Sequence, residues 1–264
     1  MVSEACVSST GDSLSLIRFL GRYAAWNGLF GSGVATLSGK IGRSRQLFLD
    51  PAEPIAMLAD RSVLVASYFF DAARDEFDDR DTPHRDTHRC LAQALLKGTL
   101  AHAARARPEL RDSALVNRLL AEPMWLSALT TRVALGYGAT GPDDLPAIFR
   151  AMGYHLGSEV LADQEFSIID AALQHHCPDL ATYLSHTRID IAGRTHSAYR
   201  WLAIHSSHGG AVEADHFAWA TRGAERAFSF VNRDQHALLR HQLHLGFVDF
   251  TRDHQEFFAN VNTP

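Results

Sequence analysis

The sequence predicts an all-α protein. Over most of its 264 residues, apolar side chains recur every three or four positions, as they do on the buried face of an amphipathic helix. No stretch alternates apolar and polar residues in the way that a half-buried strand does. Prolines and glycines divide the periodic stretches into segments of helical length. We therefore expect residues 1–264 to form a single helical bundle.

The first half of the chain contains a polar start and four predicted helical segments. Residues 1–12 are polar, and we expect them to be frayed or disordered. Ser13 is a candidate N-cap for the first helix. In residues 26–48, small residues alternate with apolar ones, which permits close helix packing. A helix is predicted from Ser62 onward, and the Thr-Pro pair at 82–83 marks the start of the next one, with proline at the first helical position.

The second half continues the helical pattern. Prolines separate two shorter helices between residues 108 and 142. A long helix is predicted over about 145–173, and another over 196–231 that only the glycine pair at 209–210 interrupts. A final helix is predicted over about 234–258.

The composition excludes several classes of protein. A net charge of -5 without a basic cluster argues against nucleic-acid binding. Three widely spaced cysteines form neither a disulfide framework nor a zinc motif, which suits a reducing cytoplasm. No apolar run reaches the roughly 18 residues of a membrane span, and the N-terminus lacks the pattern of a signal peptide. We expect a cytoplasmic protein that binds neither nucleic acid nor membrane.

Histidine is abundant, and the clearest histidine motif lies near the C-terminus. Glu213 and His216 are three residues apart, so they share one face of a helix, as in the Glu-x-x-His pairs of di-iron bundles. Their apolar neighbours place that face against the core, although polar surface residues of an amphipathic helix are the simpler interpretation. His208 is five residues before Glu213, about 140° out of alignment on a regular helix. If both are ligands, we expect a widened turn or a break at the glycine pair between them.

Two further segments carry candidate ligands. Glu76 closes an apolar helix and His88 begins the next one, whereas the charges between them are typical of a solvated loop. Asp81 and His84 remain alternatives in this segment. Glu159 lies among apolar residues on an inward helix face, where it either pairs with a structural partner such as His155 or serves as a bridging ligand.

The three segments together provide three carboxylates and three imidazoles. Hard oxygen and borderline nitrogen ligands without a thiolate suit iron or manganese better than a structural zinc ion. The predicted metal ligands are Glu76, His88, Glu159, His208, Glu213 and His216.

The order and spread of these residues resemble those of the heme-oxygenase-like di-iron oxidases, in particular the group that resembles the chlamydial death-domain-associating protein. That family has Glu and then His on one helix, a lone Glu on another, and a His-x3-Asp/Glu-x2-His motif near the end. The resemblance covers about residues 15–255. Eleven residues separate Glu76 from His88, where the family has six, and the last motif has one extra residue after His208. His205 is therefore an alternative to His208, as Asp81 or His84 is in the first pair.

The resemblance implies a heme-oxygenase-like bundle of about seven core helices that holds two iron ions. It also implies an enzyme that uses dioxygen to desaturate, cleave or N-oxidise a small molecule in natural-product biosynthesis. Apolar residues near the candidate ligands, among them Phe69, Phe70 and Phe217, favour an aliphatic substrate, with an amino acid as the leading candidate. Arg43 or Arg45 is a candidate partner for its carboxylate. A homodimer is left open.

Two other classes of protein compete with this interpretation. One is a metal-free protein with the same fold, of the thiamine-salvage or quinone-biosynthesis type. It would need a catalytic cysteine or a basic anion pocket, and neither Cys90 nor Cys177 has an evident nucleophilic setting. The other is a binding protein without enzymatic activity.

Overall fold

A computed structural model of the chain describes residues 1–48, 59–77, 86–206 and 212–263. Most of these residues are helical, which confirms the all-α prediction. The helices are α1 (Val2–Ser9), α2 (Ser13–Asn27), α3 (Phe30–Arg43), α4 (Ala59–Phe77), α5 (His88–Ala103), α6 (Ser113–Leu119), α7 (Met124–Gly136), α8 (Leu145–His176), α9 (Pro178–His186), α10 (Arg200–His205), α11 (Val212–Ser229) and α12 (His236–Asn260). Short 3-10 turns occupy Arg45–Phe48, Pro108–Arg111 and Arg233–Gln235.

Helix α8 is the central element of the bundle. Its 32 residues extend over about 48 Å. Helix α12 packs along it, and α1, α3, α10 and α11 also contact it. Helix α4 packs between α3 and α11. A continuous cluster of buried apolar side chains joins these helices, so polar side chains that point inward from α4, α8 and α11 meet inside the bundle.

The contact between α8 and α12 depends on two glycines. A Cβ atom on Gly153 would lie 1.8 Å from the carbonyl oxygen of Leu243, and one on Gly246 would lie 1.8 Å from that of Arg150. Because no side chain fits at either position, the two backbones touch. This contact fixes the position of α8 about 1.7 turns before the candidate ligand Glu159.

Two helix starts differ from the sequence prediction. Asp12, and not Ser13, caps α2, because its carboxylate accepts hydrogen bonds from the backbone N–H groups of Leu14 at 2.8 Å and Ser15 at 3.4 Å. Helix α5 is described from His88, with the Thr87 hydroxyl accepting from the N–H of residue 90 at 3.1 Å. The Thr-Pro pair at 82–83 lies outside the described residues.

The first residues and the 188–197 segment also differ from the prediction. Residues 1–12 were expected to be frayed, but α1 forms there because Ala5 and Cys6 are buried against the bundle. The helix predicted from residue 196 begins only at Arg200. Before it, β1 (Arg188–Ile191) and β2 (Arg194–Ser197) form an antiparallel hairpin. Its two-residue turn has φ of 52° and 77°, the left-handed conformation that tight hairpin turns require.

The long helix predicted over 196–231 is divided. Helix α10 ends at His205, where the next residue is extended with ψ of 155°, and α11 begins at Val212. The predicted helical distortion at Gly209-Gly210 falls outside the described residues. In the described part of the chain, no helix combines the length and apolar character that crossing a membrane requires.

Candidate functional site

Glu76 and His88 form a buried ion pair between two consecutive helices. Glu76 is in the last turn of α4, and His88 is the first residue of α5. The distance from His88 Nδ1 to Glu76 Oε2 is 3.0 Å, and 5% of the His88 side chain is exposed. Gly31 of α3 makes room for the carboxylate, because a Cβ atom there would lie 2.8 Å from the Glu76 Cβ atom. These two predicted ligands are therefore adjacent.

Glu159 connects two histidines on the other side of the site. Its Oε1 lies 3.2 Å from Nδ1 of His155, one turn earlier on α8, and its Oε2 lies 3.4 Å from Nδ1 of His216 on α11. All three residues are buried. The structure thus gives Glu159 the structural partner His155 and also places it next to His216, another predicted ligand.

His216 is held by a second carboxylate. Its Nε2 lies 3.0 Å from Oδ2 of Asp75, the residue that precedes Glu76 on α4. A carboxylate on one nitrogen of an imidazole fixes the orientation of the ring, an arrangement common around metal-bound histidines. This contact joins α4 to α11 at the site, although the two residues are 141 positions apart in sequence.

His205, the alternative to His208, lies in this cluster. Its Nδ1 is 2.7 Å from the carbonyl oxygen of Trp201, which can only accept, so Nδ1 carries the proton and Nε2 carries the lone pair. Its ring stacks on Phe166 with the centroids 4.2 Å apart and lies 4.5 Å from the ring of His88. The last residue of α10 therefore lies beside the first residue of α5.

A small cavity joins the two halves of the site. Glu76, Glu159 and His205 all line it, together with Asn27 and Ser158. Glu76 of α4, Glu159 of α8 and His205 of α10 therefore face one space. Among the described residues, no three of these side chains surround a single point as metal ligands do. The carboxylates and imidazoles instead contact one another in pairs.

Burial and neighbouring charges shift the pKa values of three titratable groups of the site. Burial raises the pKa of Glu76, but His88, His216 and His205 outweigh this and lower it to about 2. Burial, reinforced by His88, lowers the pKa of His205 to about 3. Burial also lowers the pKa of His155, despite the opposing effect of Glu159. An ionised Glu76 and a neutral His205 are the forms in which a carboxylate and an imidazole bind a metal.

The types of donor atom present fit a metal centre of the predicted type. Carboxylate oxygens and imidazole nitrogens from five helices converge on one buried region, and these are the donors that iron accepts. In the described part of the chain, Nε2 of the fully buried His155 has no hydrogen-bond partner. Such an atom costs free energy unless a further group binds it.

The predicted ligands fall into two groups. Glu76, His88, Glu159 and His216 are brought together as described above. His208 lies outside the described residues, as do Asp81 and His84, and the side chain of Glu213 is not described either.

Some surrounding residues could not be recognised from sequence. Asp75 was hidden in an acidic run, and nothing in its spacing links it to His216. The predicted apolar lining is partly wrong: Phe69 is buried against His155, but Phe70 and Phe217 are 57% and 40% exposed. They lie on the outward faces of α4 and α11.

Comparison with known proteins found no relative of this chain. No protein-family model matches the chain. Neither the curated proteins nor the solved structures give a significant match.

Proposed function

We propose that this chain is a cytoplasmic, non-heme di-iron oxidase with a heme-oxygenase-like bundle. It uses dioxygen to oxidise a small aliphatic molecule, an amino acid being the leading candidate, in a biosynthetic pathway. The observation that carries the proposal is the convergence of Glu76, His88, Glu159, His205 and His216 from five helices. A bundle without a cofactor has no evident use for so many titratable groups in its core, because burying them is costly.

Four described residues would hold the metal: Glu76, His88, Glu159 and His216. His205 or His208 supplies a further imidazole, and Glu213 supplies the remaining carboxylate. Iron bound by carboxylates and imidazoles, with positions left open, supplies the reduction of dioxygen.

Neighbouring residues orient these ligands. Asp75 accepts from Nε2 of His216, and the Trp201 carbonyl accepts from Nδ1 of His205. His155 is positioned between Glu159 and the hydroxyl groups of Ser158 and Tyr137, which lie 3.4 and 3.5 Å from its Nδ1. Partners of this kind typically change metal affinity or activity by about 10 to 100-fold when removed.

Aromatic side chains exclude water from the same region. Phe69 lies against the ring of His155, and Phe166 stacks on His205. Both phenylalanines are almost fully buried. The ligand cluster is therefore surrounded by an apolar layer, in which charges interact more strongly than they do in water.

The proposal is tested by loading the purified protein with Fe(II) without oxygen and counting the bound iron. We expect two iron ions per chain in the wild type and a clear loss of bound iron in Glu159→Gln. Glu225→Gln, which removes an exposed carboxylate from α11, is the matched control and should bind iron like the wild type.

Dioxygen consumption provides the second measurement. The Fe(II)-loaded wild type should consume dioxygen, faster with its substrate present, and Glu159→Gln should not. If the wild type binds no iron, or if Glu159→Gln retains both ions, the proposal is wrong. Full activity of the metal-stripped protein would favour the metal-free alternative.

A further inference from the structure

A second, larger cavity of about 190 Å³ lies beside the ligand cluster. It is enclosed by the end of α2, the start of α3, the end of α4 and the start of α5, with Trp201 of α10 as a further wall. Glu76 and His88 both line it. Glu76 and Asn27 line this cavity and also the small cavity inside the cluster, so these two residues separate the two spaces.

Among the described residues that line the cavity, Arg89 is the one arginine or lysine. It follows His88 on α5, and on a helix the two side chains point about 100° apart. His88 faces Glu76, whereas Arg89 lines the cavity next to Gly28, whose Cβ position would be 3.5 Å from the Arg89 Nε atom. No carboxylate among the described residues forms an ion pair with Arg89. Arg89 is exposed to solvent. Arg43, which the sequence suggested for this role, is also exposed, but it pairs with Asp143.

Asn27 is a second polar residue on the cavity wall. It is buried, with 7% exposure, and it is the last residue of α2. Its side-chain amide has no hydrogen-bond partner within the described residues. A buried amide is normally satisfied by protein, water or a ligand. Water or a polar group of a bound molecule can therefore satisfy this amide.

We propose that this cavity binds a small aliphatic carboxylic acid, with its carboxylate on the Arg89 guanidinium. A planar guanidinium matches a carboxylate with two parallel hydrogen bonds. Glu76 lines the same cavity and belongs to the ligand cluster. An acid held by Arg89 can therefore extend its uncharged end along the cavity toward that cluster.

The walls of the cavity suit a short aliphatic chain. Ala24 and Ala92 are small and apolar, and Trp201 presents an aromatic surface. A volume of about 190 Å³ lies below the range of roughly 300–1,000 Å³ that is common for drug-sized ligands. The role of the bound acid as substrate rests on the function proposed above, whereas its binding does not.

The test measures binding of hexanoate and of hexanamide, its uncharged analogue, by calorimetry with and without Fe(II). Wild type should bind hexanoate more tightly than hexanamide. Arg89→Gln should weaken hexanoate binding by about tenfold or more, the effect of losing one charge-assisted contact, and leave hexanamide binding unchanged. Arg89→Lys should be intermediate. Lys97→Gln, which removes an exposed charge two turns further along α5, should change neither.

Hexanoate binding and iron binding can be tested separately. Glu159 does not line the cavity, so Glu159→Gln should lose iron but still bind hexanoate, while Arg89→Gln should lose hexanoate but still bind iron. Absence of hexanoate binding to the wild type, or equal binding by Arg89→Gln and wild type, overturns the carboxylate site. The iron measurements stand independently of that result.

Discussion

A hydrogen bond to a backbone carbonyl fixes the tautomer of His205. The Trp201 carbonyl oxygen, 2.7 Å from Nδ1 of His205, requires a proton on that nitrogen. Burial keeps the ring neutral, so Nε2 bears a lone pair close to Glu76 and His88. A buried imidazole with one nitrogen bound to a backbone carbonyl is the usual arrangement of a metal ligand.

We therefore expect His205→Gln to weaken iron binding by at least about tenfold, because it removes a nitrogen donor from the cluster. His208→Gln should have the smaller effect. Iron titrations of the two variants under anaerobic conditions, with circular dichroism to verify folding, separate the alternatives. The reverse order of effects would assign the ligand to His208.

The residues of the site were predictable to different degrees. Glu76, His88, Glu159 and His216 carry a signal in the sequence, because each is a titratable residue next to an apolar helical stripe. Asp75 and Asn27 carry no such signal. Their roles arise from contacts between distant parts of the chain, such as that between α4 and α11, which no local spacing encodes.

At the scale of helices, the close contact of α8 with α12 determines where Glu159 lies. Gly246→Ala should destabilise the protein by about 1–3 kcal/mol or more, because the new methyl group would overlap the Arg150 carbonyl and separate the helices. Gly39→Ala is the matched control in α3, an exposed helical position with nothing within 4 Å of the new Cβ atom. It should stabilise the protein by about 0.5–1 kcal/mol.

Urea unfolding monitored by circular dichroism measures both changes. Opposite signs for the two substitutions are the expected result. If Gly246→Ala were neutral, α8 and α12 would have to be further apart than the backbone contact at Gly153 and Gly246 implies.

The helices were predictable because their apolar periodicity and their breaking residues are local properties. The ends of the helices were less predictable. Ser13 and Asp12 are both good capping residues, and which of them caps α2 depends on which side chain reaches the free N–H groups. The β1–β2 hairpin was missed because its strands have only four residues each, too few for a clear alternation. Helix α1 was missed because its burial depends on contacts with α8 and α12, far away in sequence.

At the scale of the whole molecule, the site exists only when the bundle is assembled. The clustered residues extend from Asp75 on α4 to His216 on α11, and the unfolded chain does not hold them together. Metal binding to such a site is coupled to folding. Iron should therefore stabilise the entire fold and not one local segment.

We expect Fe(II), added without oxygen, to raise the Tm of the wild type. At a free concentration of 100 times Kd, the stabilisation is about 2.7 kcal/mol, which corresponds to roughly 5–10 °C for a chain of this size at ~2–4 °C per kcal/mol. Calorimetry of the wild type, Glu159→Gln and Gly39→Ala measures this. Glu159→Gln should lose most of the iron-dependent increase because a ligand is missing. Gly39→Ala should begin from a higher Tm and keep the full increase, since α3 gains stability away from the ligands. Equal increases in all three proteins would mean that iron binds elsewhere. No increase in the wild type would mean that iron binds the folded bundle no more tightly than it binds the unfolded chain.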